Sequence, residues 1–119
     1  MIFSLPLPQR AIEVFSKFPT LPPLEGLRLG VENALSDTVV ATRPELVEEV
    51  LAYRLQYPPP LDGWQAQAAA NLGWDVRGQL DELRMPVLVI TGTADNVVDP
   101  AGLDLIAGLV PHARLERLE

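Results

Sequence analysis

The sequence predicts an α/β fold in which a helical region is followed by one β-α-β unit. Apolar side chains recur at helical spacing through residues 1–84, between proline-rich joints, whereas residues 85–119 indicate strand, helix and strand. Residues 87–91 are an unbroken run of apolar and β-branched side chains. A strand that is apolar at consecutive positions is typical of a parallel sheet covered on both faces. We therefore expect two regions, 1–84 and 85–119.

Prolines mark the limits of the helices predicted in the first region. The expected helices cover residues 9–18, 24–36 and about 61–72, with clusters of proline between them. Another helix is expected to begin at Thr42-Arg43-Pro44-Glu45, which has the spacing of a capping box with proline in the first turn. Asp75 is expected to cap a short helix that leads into the second region.

The second region carries clear signals for the limits of its elements. After the strand at residues 87–91, Asp99 and Pro100 indicate the N-cap and first position of a helix, since proline there loses no needed donor. Pro111 ends this helix. Residues 113–118 alternate in polarity and predict a second strand. Two strands joined by a helix make one β-α-β unit, which we expect to be right-handed.

Composition excludes several classes of function. The 119 residues carry 16 acidic and 9 basic side chains, a net charge of −7, and no cluster of lysine or arginine. Binding to nucleic acid or to an anionic membrane surface is therefore not expected. The absence of cysteine and the single histidine leave no thiolate chemistry and no multi-histidine metal site, and no cofactor is indicated. No apolar run approaches the roughly 20 residues that span a bilayer, and no signal peptide is recognisable, so a cytoplasmic protein is expected.

Asp95 is the main candidate for a catalytic residue. It lies just past the strand at residues 87–91, and parallel sheets carry their chemistry at the carboxyl ends of strands. An aspartate shortly after Gly92 also suits a turn, because its side chain bonds to nearby backbone N–H groups. Turn chemistry alone favours the turn interpretation, whereas the position past the strand, together with the flanking segments, favours the acid. Asp95 and Asp99 together would form a poor cation site, since two carboxylates lack the further oxygen ligands that such a site needs.

Several short segments occur in a set order around Asp95. They are LDELR at 80–84, MPVLVI at 85–90, GTAD at 92–95, VVDP at 97–100 and LVPHARL at 109–115. In this order they resemble the C-terminal part of α/β-hydrolase-fold enzymes of the esterase, lactonase and peptidase type. The resemblance implies that Asp95 is the acid of a Ser-His-Asp triad. It also implies that residues 1–84 form a helical cap and that residues 85–119 are the last β-α-β unit of the core, a partial α/β-hydrolase fold.

The sequence departs from that family at the other two triad positions. The family nucleophile lies in a Gly-x-Ser-x-Gly elbow, and none of Ser4, Ser16 and Ser36 has glycines at that spacing. The family histidine follows the last strand, whereas His112 precedes it and is expected to be an exposed turn residue. We therefore expect a partial hydrolase that carries only the acid Asp95 and is inactive alone.

Two functions remain open for such a chain. The complete enzyme implied by the resemblance would cleave an ester, lactone or amide bond in a small apolar carbonyl substrate. The alternative is a non-catalytic module that binds small ligands or completes the sheet of a partner chain. The chain alone is expected to be either marginally folded or self-associated through residues 87–90, because two strands alone leave sheet edges unpaired.

Aromatic side chains in the helical region allow two interpretations. They would either line a substrate pocket beneath a cap or pack into the core, as aromatics at helical spacing commonly do. The core is the preferred interpretation for Trp74, and both remain open for Trp64. The residues in question are Tyr53, Tyr57, Trp64 and Trp74.

Overall fold

A computed structural model of the chain describes residues 7–71 and 73–119, and it confirms the α/β fold. The helices within residues 9–71, here called the helical lobe, are α1 (Gln9–Lys17), α2 (Pro23–Ala34), α3 (Asp37–Thr42), α4 (Pro44–Gln56) and α5 (Leu61–Asn71), with a 3₁₀ turn (Phe18–Thr20) after α1. The second part, here called the strand lobe, contains a 3₁₀ helix (Arg77–Glu82), β1 (Val87–Gly92), α6 (Pro100–Leu109) and β2 (Ala113–Leu118).

The two strands pair in parallel, as the β-α-β prediction requires. The register runs from Val87 opposite Ala113 to Gly92 opposite Leu118. α6 connects the strands and begins where the sequence predicts, because the Asp99 side chain accepts a hydrogen bond of 3.0 Å from the backbone N–H of Ala101. The carboxyl ends of both strands therefore lie at the same edge of the sheet.

The strand lobe has its own hydrophobic cluster beneath α6. Its buried members come from the 3₁₀ helix, from β1, from α6 and from the residue after α6, and they are Leu80, Val89, Ile106 and Val110. Val89 is an odd-numbered position of β1, and the neighbouring odd position Thr91 is buried as well. Because side chains alternate along a strand, these positions face the same side of the sheet. One face of β1 is therefore covered.

The prediction that β1 is buried on both faces is wrong for the described residues. The even positions Leu88 and Ile90 remain 55% and 53% exposed. They point away from α6, and within residues 7–71 and 73–119 no element covers that side of the sheet. The apolar run is typical of a strand covered on both faces, but the described residues cover only one of them.

The helical lobe packs around a second, separate hydrophobic cluster between α2 and α4. Its buried members are Leu27, Val31, Val47 and Leu51. Gly26 allows α2 to approach the 3₁₀ turn after α1, because a Cβ there would lie 3.1 Å from the carbonyl oxygen of Phe18. At the surface, Arg28 binds Glu48 through two hydrogen bonds of 2.6 and 3.0 Å. The Arg28 hydrogen bond lowers the pKa of the Glu48 carboxyl.

The predicted capping box at the start of α4 is wrong. Thr42 belongs to the end of α3, where its hydroxyl donates to the carbonyl of Thr38 at 2.7 Å. The N-cap of α4 is Arg43, without a side-chain cap bond, and the Glu45 carboxylate pairs with Arg43 instead. The reason is that the short helix α3, which was not expected as a separate element, occupies the position of the cap residue.

The aromatic residues divide between packing and exposure. Trp64 on α5 contacts the rings of Phe15 and Phe18, with centroids 6.2 and 5.2 Å apart, and so joins α5 to α1 and the turn that follows it. Trp74 is 47% exposed, so the preference for a core position is wrong. The reason is its place in an irregular stretch between α5 and the 3₁₀ helix, beyond the helical packing.

The two lobes form an elongated molecule. Its radius of gyration is 16.1 Å, against about 13.5 Å for a compact domain of this length. The two hydrophobic clusters share no residue. The predicted division at residue 84 stays a prediction, and the cluster of the strand lobe also takes in Leu80 from the preceding 3₁₀ helix.

We expect a protein of these 119 residues alone to self-associate through β1 or to be marginally stable, because Leu88 and Ile90 expose an uncharged strand. Ile90→Lys should shift an associated species to monomer in size-exclusion chromatography. Leu24→Lys, which replaces a leucine of similar exposure on α2, should leave the elution volume unchanged. A monomeric unsubstituted chain with a sharp thermal transition in circular dichroism would contradict this expectation.

Candidate functional site

Asp95 lies at the edge of the sheet where both strands end. The backbone N–H of Thr93 donates to the carbonyl of Leu118 at 2.8 Å, which extends the pairing one residue beyond β1. Asp95 follows two residues later, and its own N–H donates to the carbonyl of Gly92 at 3.3 Å. The segment 93–99, here called the Asp95 loop, therefore turns sharply at the carboxyl ends of β1 and β2.

The carboxylate of Asp95 is oriented by its own loop. Its Oδ1 atom accepts hydrogen bonds from the backbone N–H groups of Val97 at 2.8 Å and Val98 at 2.9 Å. Among the described residues, no donor contacts Oδ2, and the residue is exposed. The turn interpretation is thus shown, and one carboxylate oxygen stays available to a donor from outside the loop.

Asp99 serves a different purpose from Asp95. Its side chain caps α6, so it is committed to the helix end. Within residues 7–71 and 73–119, no three histidine, cysteine, aspartate or glutamate side chains lie close enough together to hold a metal ion. Asp95 therefore bonds within its own loop, whereas Asp99 caps α6.

His112 lies at the other end of the strands from Asp95. The register pairs Val87 with Ala113, so the preceding His112 stands beside the start of β1. A strand advances about 3.3 Å per residue, which puts roughly 17 Å along β1 between this turn and the edge that carries Asp95. His112 is exposed and has a left-handed φ of 62°. It cannot hydrogen-bond to Asp95 in this arrangement.

The hydroxyl groups of the serines that the structure describes form hydrogen bonds with the backbone of helices. The Ser16 hydroxyl donates to the carbonyl of Glu13 at 2.8 Å. The Ser36 hydroxyl caps α3 by accepting from the N–H of Val39 at 3.3 Å. Ser4 lies outside the described residues. Residues 7–71 and 73–119 thus bring neither a serine nor a histidine to Asp95.

Asn96 is a residue of this site that sequence reasoning missed. Its Nδ2 atom donates to the carbonyl oxygen of Leu35 at 3.3 Å, across 61 positions of sequence. Leu35 is the C-cap residue of α2. Nothing local to the sequence signals this partner, because Asn96 stands in a loop whose composition already suits a turn.

The family of the chain follows from a comparison with family models. The model of the alpha/beta hydrolase fold matches residues 17–119. The chain belongs to the α/β-hydrolase fold family, which confirms the family expected from the segments around Asp95.

None of the helices in the described part of the chain has the length and apolar character of a membrane span.

Individual relatives cover parts of the chain. The polyketide synthase ThaQ of Burkholderia thailandensis is 49% identical over 49 residues, which are 41% of this chain and 2% of the synthase. The solved structure of Est816, an N-acyl homoserine lactone degrading enzyme, superposes with a TM-score of 0.67 at 25% identity. That match covers 89% of this chain and 42% of Est816. The chain thus spans less than half the length of either relative.

The turn role of Asp95 predicts a difference between two substitutions. Asp95→Ala removes the acceptor for the N–H groups of Val97 and Val98, so the free energy of unfolding should fall by about 1 kcal/mol. Asp95→Asn keeps an acceptor oxygen and should retain most of that stability. Chemical denaturation of the three proteins measures the difference, and unchanged stability in Asp95→Ala would show that the turn bonds contribute little.

Proposed function

We propose that this chain provides the helical cap and the acid-bearing end of a hydrolase that cleaves an ester, lactone or amide bond. The observation that supports it is the geometry of Asp95. One carboxylate oxygen is held by two backbone N–H groups of the loop, and the other is free at the carboxyl edge of two parallel strands. Membership of the α/β-hydrolase fold family agrees with that placement.

The role proposed for Asp95 is to orient a histidine. Its Oδ2 would accept the Nδ1–H of the imidazole, which leaves Nε2 free to take the proton of a serine hydroxyl as the serine attacks the carbonyl carbon. The imidazolium that forms would be stabilised by the carboxylate. It would then give its proton to the leaving oxygen or nitrogen as that bond breaks. A further part of the enzyme would supply the serine and the histidine, since the serines and the histidine of this sequence do not occupy the family positions.

The position of β2 supports the origin proposed for the histidine. The carbonyl of Leu118 accepts from Thr93, so the end of β2 lies beside the first residues of the Asp95 loop. A histidine that follows this strand, as the family resemblance implies, would reach the free oxygen of Asp95 from close by. His112, at the opposite end, would not.

A lactone is the substrate class we favour. Est816, which superposes on 89% of this chain, degrades N-acyl homoserine lactones. The helical lobe would form the wall over the acyl part of the substrate, because Asn96 of the Asp95 loop bonds to Leu35, which packs against the cluster of that lobe. The expected location in the cytoplasm remains a prediction.

A non-catalytic role is the second candidate. The exposed side chains of Leu88 and Ile90, together with the outer edge of β1, offer an apolar surface and unpaired backbone groups within the described part of the chain. A partner strand placed there would extend the sheet. This function needs no contribution from the Asp95 carboxylate, and that difference separates the two candidates.

A chimera tests the catalytic proposal. The residues of this chain would replace the matching segment of Est816, and lactone hydrolysis would be measured. Asp95→Asn should reduce kcat by about 10³-fold or more with little change in KM, because the carboxylate acts on the histidine rather than on substrate binding. Unchanged kcat in Asp95→Asn, in a chimera that does turn over lactone, would overturn the role proposed for this residue.

The chain alone should show no serine-hydrolase turnover. No described residue places a nucleophile or a histidine near Asp95, so a nitrophenyl ester should be cleaved only at the background rate. A rate above background that Asp95→Ala abolishes would be the contrary result. The same assay on Ser16→Ala serves as a control, since that hydroxyl is bonded to helix backbone.

A further inference from the structure

Asn96 makes a polar contact between the two lobes. The hydrogen bond from its side chain to the carbonyl of Leu35 joins the strand lobe to the helical lobe across 61 positions of sequence. The hydrophobic clusters share no member. Asn96 therefore links the Asp95 loop directly to the helical lobe.

The acceptor at Leu35 is suited to such a link. Leu35 ends α2 in an extended conformation, with φ of −109° and ψ of 155°. Carbonyl groups at the end of a helix lack partners within it and must be satisfied from elsewhere. The next residue, Ser36, begins the cap of α3, so the chain is held in place on both sides of Leu35. Asn96 thus bonds to a fixed point of the helical lobe.

The backbone does not explain why asparagine stands at position 96. Asparagine is common in turns that need a left-handed conformation. Among the described residues other than glycine, however, only His112 has a positive φ. Asn96 is half-buried, and its amide is directed at the helical lobe instead of its own backbone. Its side-chain hydrogen bond is therefore the feature that favours asparagine here.

Asn96 lies inside the turn that orients the acid. The Oδ1 atom of Asp95 binds the N–H groups of Val97 and Val98, so residues 95–98 form a small ring closed by those bonds. Asn96 is the member of this ring that reaches outward to Leu35. Movement of the helical lobe would therefore displace the residues of this turn. Loss of the turn's hydrogen bonds would in the same way weaken the contact of Asn96 with the lobe.

We propose that Asn96 is a positioning residue that ties the helical lobe to the carboxylate of Asp95. It would touch neither substrate nor reacting atoms, and it would act by keeping Oδ2 of Asp95 directed out of the loop while the lobe stays above it. The catalytic consequence rests on the function proposed above. The mechanical link itself does not, so the two are tested separately.

Amide hydrogen exchange on the full chain tests the link. Asn96→Ala and Asn96→Asp, which both remove the donor, should raise exchange at Val97 and Val98 by about three- to tenfold, the range expected for loss of one neutral hydrogen bond. Asn96→Gln, which keeps a donor, should show a smaller rise. Asn71→Ala, at the end of α5, is the matched control and should change nothing.

The same measurement separates a local link from general destabilisation. Exchange at Val89 and Thr91 in β1 reports global opening and should stay constant in all variants. Unchanged exchange at Val97 in both Asn96→Ala and Asn96→Asp would overturn the proposal. It would also be overturned if exchange rose equally in β1 and in the loop, with Asn96→Gln no better than Asn96→Ala.

Kinetics in the Est816 chimera test the catalytic consequence. Asn96→Ala should lower kcat by about tenfold, because a misplaced catalytic group costs rate. In the Asp95→Asn background the same substitution should have no further effect on kcat, since the carboxylate it positions is gone. Equal losses in both backgrounds would show that Asn96 acts independently of Asp95. An Asp95→Asn chimera of full activity would refute the proposed function. The hydrogen-exchange measurement would in that case still test the link between Asn96 and the helical lobe.

Discussion

The parallel pairing of β1 with β2 is the constraint on which the rest of the structure depends. It requires a crossover, which α6 provides, and α6 in turn buries Val89 against Ile106. Parallel strands also end at the same edge, so the segment that leaves β1 must turn beside the end of β2. Asp95 and Asn96 occupy that turn, and their positions follow from the pairing rather than from any feature of the loop alone.

Local chemistry explains why much of this fold is predictable from sequence. Pro100 after Asp99 defines the start of α6, and the apolar run defines β1, because these signals act on neighbouring backbone. Predictions were wrong where the burial or the capping role of a residue depends on an element beyond its neighbouring backbone. Exposure of Leu88 depends on what covers the sheet, and the capping role of Thr42 was lost to a preceding helix that carries weak periodicity.

The candidate site was predictable in part for the same reason. Asp95 stands out because it follows a predicted strand closely, at the edge where parallel sheets carry their chemistry. The partner of Asn96 is 61 residues away, and a single neutral hydrogen bond leaves no periodic pattern in sequence. Family resemblance supplied the expected role of Asp95, whereas the geometry showed which of its two oxygens is already engaged by the loop.

The separation of the two hydrophobic clusters has an evolutionary consequence. Substitutions around Val31 and Leu51 can remodel the helical lobe without forcing the packing beneath α6 to change in step. The carbonyl of Leu35 belongs to the backbone, so almost any side chain at that position preserves the acceptor. A helical lobe of different packing would keep the same hydrogen bond, provided that a backbone carbonyl still lay within reach of Asn96.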